Sequence, residues 1–344
     1  MKKSVIALAV FAVSGAALAQ SNVTLYGIVD VFVGSNELQV NGVGQRQTVV
    51  DTSGVGGSRW GMKGSEDLGK GLKAIFQLES GFDTSTGASG QGGLLFGRQA
   101  FVGITGDFGA VTLGRQYTSY DYLHAVTNQN GQNYTFNAAT GLAGGRPVGV
   151  SMNGLADYAG RLNNSIAYRS PVFSGFSGSV AYSFGENKNA VSGQEATDAA
   201  SLHIKYVNGP LLIGYAYQEE KQPVVAGVQD KRKYNLIGGT YNFGVAKLNA
   251  FYNQAKSNVF KDYEYSVGAD IPFGAVTVSA GYAHSKSEGL GVERKGDGYS
   301  IVAMYALTKR TGLYAGAQST KAFVLNSVNE TKSTVYGLGI KHTF

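Results

Sequence analysis

The chain has 344 residues, with 50 Gly, 5 Pro and no Cys, and its 29 Lys plus Arg exceed 23 Asp plus Glu to give a net charge of +6. The missing Cys removes thiol nucleophiles, zinc fingers and disulfide scaffolds together. With 43 % apolar and 15 % charged residues, the chain is too apolar to be disordered. Glycine stands at about twice its usual ~7 % share without a collagen period. Tyr leads the aromatics at 21, a composition suited to many strands joined by turns.

In chain order, Met1-Lys2-Lys3 is a positive start, Val5 to Val13 an apolar run, and Ala17-Leu18-Ala19 an A-x-A cleavage site. This is the pattern of a secretory signal peptide over 1–19, with the mature chain starting at Gln20 and spanning 20–344. Removing Lys2 and Lys3 lowers the charge from +6 to +4, a mild basic excess that does not describe a nucleic-acid-binding surface. After Ala19 no apolar stretch of ~18 residues occurs, so no spanning helix is expected. The remaining options are a soluble exported protein or a closed barrel, the other structure that satisfies its backbone in lipid.

Period-two alternation runs nearly throughout. Tyr263, Tyr265, Val267, Ala269, Ile271 and Phe273 fall on one face, and Glu264, Ser266, Gly268 and Asp270 on the other. Leu202, Ile204 and Tyr206 alternate with Ser201, His203 and Lys205 in the same way, the signature of strands. Short turns are expected at 67–71, 107–110, 171–176, 208–210, 243–244, 272–275 and 308–311. Longer polar loops are expected at 34–57, 84–93, 118–159, 186–199, 219–231, 256–261, 285–297 and 321–332. Fifteen connections imply sixteen strands, and the alternation of turn and loop puts all the long loops on one rim. A soluble sandwich also alternates. The even count, the rim asymmetry, the aromatics near strand ends (Tyr206, Tyr217, Tyr241, Phe243, Tyr282, Tyr305) and mid-strand charges such as Lys205 and Asp270 favour an all-β, sixteen-stranded antiparallel transmembrane barrel.

Several segments carry a resemblance: Val23-Thr24-Leu25-Tyr26-Gly27, Ser58 to Gly69, Phe76-Gln77-Leu78-Glu79-Ser80-Gly81-Phe82, Gly97-Arg98-Gln99-Ala100-Phe101-Val102-Gly103, Leu113-Gly114-Arg115-Gln116-Tyr117, Leu307 to Thr311, and the ending His342-Thr343-Phe344. Each is weak alone. In this order and spacing the chain resembles the Gram-negative general porins, of the trimeric β-proteobacterial and neisserial type. The resemblance implies an outer-membrane homotrimer with the third outer loop, here 118–159, folded into each lumen. It also implies an arginine cluster on one lumen wall, here Arg59, Arg98 and Arg161, and a terminal aromatic used in assembly, here Phe344.

Parity supports part of this. With Trp60 and Met62 outward, Arg59 and Lys63 face the lumen, and with Phe76 and Leu78 outward, Glu79 faces it too, where it either orients an arginine or stands as a solvated carboxylate. A lipid-facing arginine at the midplane would cost ~2–4 kcal/mol, which favours lumen positions for Arg59 and Arg98. Within 118–159 the acids are Asp121 and Asp157, against Arg146, so the constriction is expected to stay net positive, with Asp121 as a supporting pore-lining group. Arg115 shares the parity of Val111 and Leu113 and would point outward. The resemblance implies a trimer contact for it, and a snorkelling loop-end arginine is the alternative. Tyr336, Leu338, Ile340, His342 and Phe344 form the outward face of a last strand that must pair with the first to close the barrel.

No His-x-x-His, Gly-x-Ser-x-Gly or complete Gly-x-Gly-x-x-Gly arrangement appears, so no enzyme, metal or cofactor is expected. Lys231-Arg232-Lys233 is a solvated rim or a contact to lipopolysaccharide phosphates. The expected function is a passive channel for small hydrophilic solutes that prefers anions. The competing readings are an outer-membrane adhesin or receptor using its loops, and a soluble lectin-like sandwich.

Overall fold

A computed structural model of the chain describes residues 22–129, 134–140, 158–185, 195–225, 227–324 and 330–344. The segment 1–19, and Arg146 and Asp157 of the long loop, lie outside the described residues. Among the described residues seventeen strands form one antiparallel sheet. They are β1 (Asn22–Val40), β2 (Val43–Thr52), β3 (Arg59–Gly69), β4 (Leu72–Gly81), β5 (Gln99–Gly106), β6 (Gly109–Tyr117), β7 (Arg161–Arg169), β8 (Phe176–Ser183) and β9 (Ala199–Asn208). They continue as β10 (Leu211–Val225), β11 (Val228–Asn242), β12 (Lys247–Lys256), β13 (Phe260–Phe273), β14 (Val276–Gly289), β15 (Val292–Ala306), β16 (Thr311–Val324) and β17 (Glu330–Thr343). Among the described residues one α-helix, α1 (Ser119–Thr127), follows β6.

The sheet closes on itself. β1 pairs with β17 from Ile28↔Thr343 to Val40↔Thr331, and Gly27 and Phe344 exchange both backbone hydrogen bonds at 3.1 Å. The lower part of β1 pairs with β3 and its upper part with β2. β2 and β3 are therefore two ends of one stave, interrupted by 53–58, and the barrel has sixteen staves. That even count satisfies every backbone group without a free edge in lipid.

Outward positions such as Leu25, Val33, Val102, Leu113, Ile204, Ile237, Val267 and Leu338 are exposed and apolar, while their neighbours in sequence turn inward. The seven short turns fall where the sequence puts them. The long-loop bounds do not. Most of 34–57, 219–231 and 285–297 is strand: β1 and β2 meet at Asn41-Gly42, both with positive φ, β10 and β11 nearly meet, and β14 and β15 meet at Leu290-Gly291. Above the membrane the apolar alternation ends because both faces meet water, but the backbone ladder continues with polar side chains.

The 53–58 interruption dips into the lumen. Asp30, fully buried, accepts from Gly54 N at 3.0 Å, Val55 N at 3.1 Å and the Tyr314 hydroxyl at 2.6 Å. A small apolar cluster of Phe32, Val55, Phe136, Tyr314 and Val335 packs beside it.

Candidate functional site: an arginine wall facing a loop-lined wall

Two arcs of the lumen differ. The first runs through β3, β4, β6 and β7. Glu79, near the end of β4, is 4 % exposed and accepts from Arg98 Nε at 2.7 Å on one oxygen. Its other oxygen lies 3.6 Å from Arg59 Nε and accepts the Tyr26 hydroxyl at 2.9 Å. Gln77 donates in turn to the Tyr26 oxygen at 2.6 Å. The Tyr117 hydroxyl accepts from both Arg98 and Arg161, the latter at 2.7 Å, and the Arg161 guanidinium stacks 4.3 Å from the Tyr117 ring centre. Arg59, Arg98 and Arg161, drawn from three places in the sequence, thus form one group around Glu79 and Tyr117, with Arg98 and Arg161 held by hydrogen bonds and Arg59 by its ion pair to Glu79. Three guanidiniums against one carboxylate leave two positive charges unbalanced. Glu79 orients two of the arginines rather than one. Arg98 lies just before β5 rather than in mid-strand. Lys63 is exposed in the lumen, its ammonium 5.3 Å from the Tyr26 ring centre.

The second arc carries the long loop. Thr118 caps α1, its hydroxyl accepting from Asp121 N at 3.1 Å, and Asp121 complements the helix N-terminus. α1 lies along β8–β12. Tyr120 and Leu123 are fully buried, and the Tyr120 hydroxyl donates to Asn253 Oδ1 at 2.6 Å. Farther on, Ser300 donates to Gln129 at 2.8 Å, and Gln318 donates to the Thr140 carbonyl at 2.7 Å. The described part of the loop therefore covers the inner wall from β8 round to β16. It reaches the arginine arc through Tyr134, whose oxygen accepts from Arg59 at 3.4 Å.

Glycines make this path. A Cβ at Gly214 would sit 2.6 Å from Leu123, one at Gly238 2.8 Å from Thr127, one at Gly281 2.2 Å from Gln129, and one at Gly316 2.5 Å from Phe136. Each is an inward position on β10, β11, β14 or β16 where the loop lies against bare backbone. Sequence reasoning read glycine as turn and loop material. The available signal was inward parity within a strand.

Electrostatics follow the same division. Burial raises the Tyr134 hydroxyl, but Arg59 and Arg98 outweigh it and hold the group below its ordinary value. Burial raises the Asp121 carboxyl despite the Tyr158 hydroxyl at 2.9 Å and the nearby Arg161 and Arg98. Burial pushes His124 down to about 4; its Nδ1 lies 3.0 Å from the Tyr158 hydroxyl.

Tyr117 and Arg169 are residues the sequence reasoning missed. Arg169 donates to the Tyr122 hydroxyl of α1 at 2.8 Å, bridging the two arcs. Alternation from Leu113 would turn Tyr117 outward, but it is the last residue of β6, and its hydroxyl meets Arg98 and Arg161 in the lumen. Within its own chain, Arg115 Nε donates to the Gly97 carbonyl at 2.8 Å and its Nη1 donates to Asn163 Oδ1. Phe344 closes the barrel, with its ring against Gly27, where a Cβ would lie 2.2 Å away.

A closed sixteen-stave barrel with an apolar outside, a polar lumen and a basic inner wall defines a transmembrane channel. A family model described as Gram-negative porin matches residues 4–322. An outer membrane porin protein of Bordetella pertussis is 33% identical over 100% of both chains, and outer membrane porin protein 32 of Delftia acidovorans is 34% identical over 99% of this chain and 95% of its own. Among solved structures, an anion-selective porin from Comamonas acidovorans superposes with a TM-score of 0.79 at 29% identity, covering 94% of this chain and 100% of that one. The chain belongs to the Gram-negative porin family and forms a passive outer-membrane channel.

Proposed function

We propose that this channel prefers anions, and that Arg59, Arg98 and Arg161 set the preference. The observation that carries the reading is their convergence on Glu79 and Tyr117, with two positive charges left over on a wall that faces a loop poor in acids. One charge at ~5 Å in water contributes roughly 0.8 kcal/mol, so the excess contributes about 1.6 before screening. That scale draws anions in and releases them, as conduction requires. Arginine stays charged at every working pH and offers planar donors to carboxylate or phosphate. The solved relative titled anion-selective supports the same sign. Lys63 and Asp121 tune the field from either side, and segment 118–159 narrows the pore.

The same reading includes a homotrimer, a cleaved signal over 1–19, and a structural use of Phe344 in assembly. One of the similar structures is described as a trimer. Arg115, anchored on Gly97 and Asn163, contributes a contact across that interface. A planar bilayer holding the purified protein under a tenfold KCl gradient tests the sign: the reversal potential should take the chloride sign. A potassium-signed potential would reject the reading.

A further inference from the structure

The basic run Lys231-Arg232-Lys233 is not one surface. Arg232 turns inward with Tyr234, whose ring packs on Tyr120 of α1. The outward residue Lys233 instead finds its like across the strands. Lys233 pairs with Lys256, and Lys256 with Lys261, so three exposed lysines stand side by side on β11, β12 and β13 near the outer rim. Their faces are set by their neighbours: Tyr234, Ala255 and Asp262, one residue away, are buried inside. Like charges directly opposite one another across a sheet repel.

The neighbouring strands handle charge differently. On β14 and β15 each lysine has an acid: Lys286 bridges Glu288 and Glu293, and Lys295 lies 3.0 Å from Glu293. On β10, Glu219 lies 3.7 Å from Lys233, and Lys221 lies 2.9 Å from Asp198. Among the described residues no carboxylate lies within ion-pairing distance of Lys256 or Lys261. Lys261 rests over the Tyr263 ring at 4.9 Å, and Glu288, opposite Lys261 in register, is already engaged by Lys286.

Beneath the lysines the outward face changes in steps. Asn235, Gln254 and Tyr263 form a polar step, and Ile237, Tyr252 and Tyr265 an aromatic and apolar one. Below these lies an apolar concavity of about 950 Å³, where small Gly239, Ala250 and Ala280 sit between Ile213, Val267 and Tyr282. Gly239 is six residues below Lys233, about 20 Å along the strand. The sheet offers no free edge there, so an added strand has nothing to pair with, and an apolar outward face at that depth of the membrane suits an acyl chain.

We propose that this face of β10–β14 is a binding site for a phosphorylated glycolipid of the outer leaflet, with its phosphate held by Lys233, Lys256 and Lys261 and one acyl chain in the concavity. The site rests on the outer-membrane placement and is separate from the lumen, so its failure leaves the channel reading intact.

The test uses purified full-length protein in detergent, bisphosphorylated lipid A as the probe, and native mass spectrometry to count retained lipid. The parent should retain the probe, and a Lys233→Gln, Lys256→Gln, Lys261→Gln triple variant should retain at least about tenfold less, as the loss of three cations beside an anionic headgroup implies. Ala250→Phe, which fills the concavity and leaves the lysines alone, should also reduce retention. Both variants should keep the parent's single-channel conductance, which certifies the fold. Retention by the triple variant equal to the parent's would overturn the proposal. So would equal retention of dephosphorylated lipid A by the parent, or displacement of the lipid by inorganic phosphate alone.

Discussion

The two inner arcs of the barrel hold their residues in opposite ways. On the arginine arc, ion pairs and tyrosine hydroxyls fix long charged side chains, Arg98 buried and Arg59 and Arg161 partly open to the lumen. On the loop-lined arc, buried Leu123 and Phe136 pack against backbone laid bare by glycine. Charge on the first arc is positioned and left unneutralised. On the second it is buried, and burial keeps His124 neutral and raises Asp121. A channel needs both: a fixed field on one side, and on the other a wall that does not move under it.

The largest expected effect removes both arcs at once, by opening the barrel that carries them. Deleting Phe344 removes its two hydrogen bonds to Gly27 and should cut the yield of heat-modifiable barrel several-fold. Gly27→Val makes the same lesion from the other strand, because its Cβ would also meet the Arg59 carbonyl at 2.7 Å. Normal gel-shift yields for both variants would contradict the closure account.

Glu79→Gln breaks the arginine arc alone. Leaving Arg98 buried without its carboxylate should cost on the order of 3 kcal/mol, read as a lowered melting temperature, while the lumen becomes more positive and the reversal potential moves further toward chloride. Unchanged stability would mean that water, not Glu79, satisfies Arg98.

Replacing 128–157 by a short glycine linker strips much of the second arc and should roughly double single-channel conductance, since a sixteen-stave barrel without its loop is a wider aqueous channel. Conductance equal to the parent's would place the narrowing elsewhere.

A smaller effect separates the arcs by pH. His124 is held down to about 4 by burial, below its ordinary ~6.5. Its contribution to loop docking is complete above pH ~6.5 and is lost as pH falls toward about 4. Asp121, raised by burial, acts in the opposite direction, gaining a proton in the docked state as pH falls. Channel noise should rise between pH 6 and 4, and His124→Phe should flatten that rise. A rise that survives the substitution would assign it to another group.

The staves and their seven short turns are legible in the sequence because lipid outside and water inside impose period two on every strand. The loops are less legible. Beyond the membrane that constraint ends, so 219–231 and 285–297 read as loop although their backbone is paired. The three arginines were named from resemblance and parity, and they do meet. Tyr117, which joins Arg98 to Arg161, was invisible because it is the last residue of β6, where alternation from Leu113 no longer decides the direction of the side chain. The glycine track was hidden for a different reason: a glycine's inward position means something only once the loop is known to lie over it.

The central claim is that a fixed, unneutralised arginine group on one wall sets which ions pass. Reversal potentials of the Arg59→Ser, Arg98→Ser, Arg161→Ser triple variant, measured beside Arg310→Ser in the turn between β15 and β16, test it most directly. The triple variant should shift toward potassium and lose most of its salt dependence, while Arg310→Ser should match the parent. A triple variant that keeps the parent's chloride preference would contradict the account.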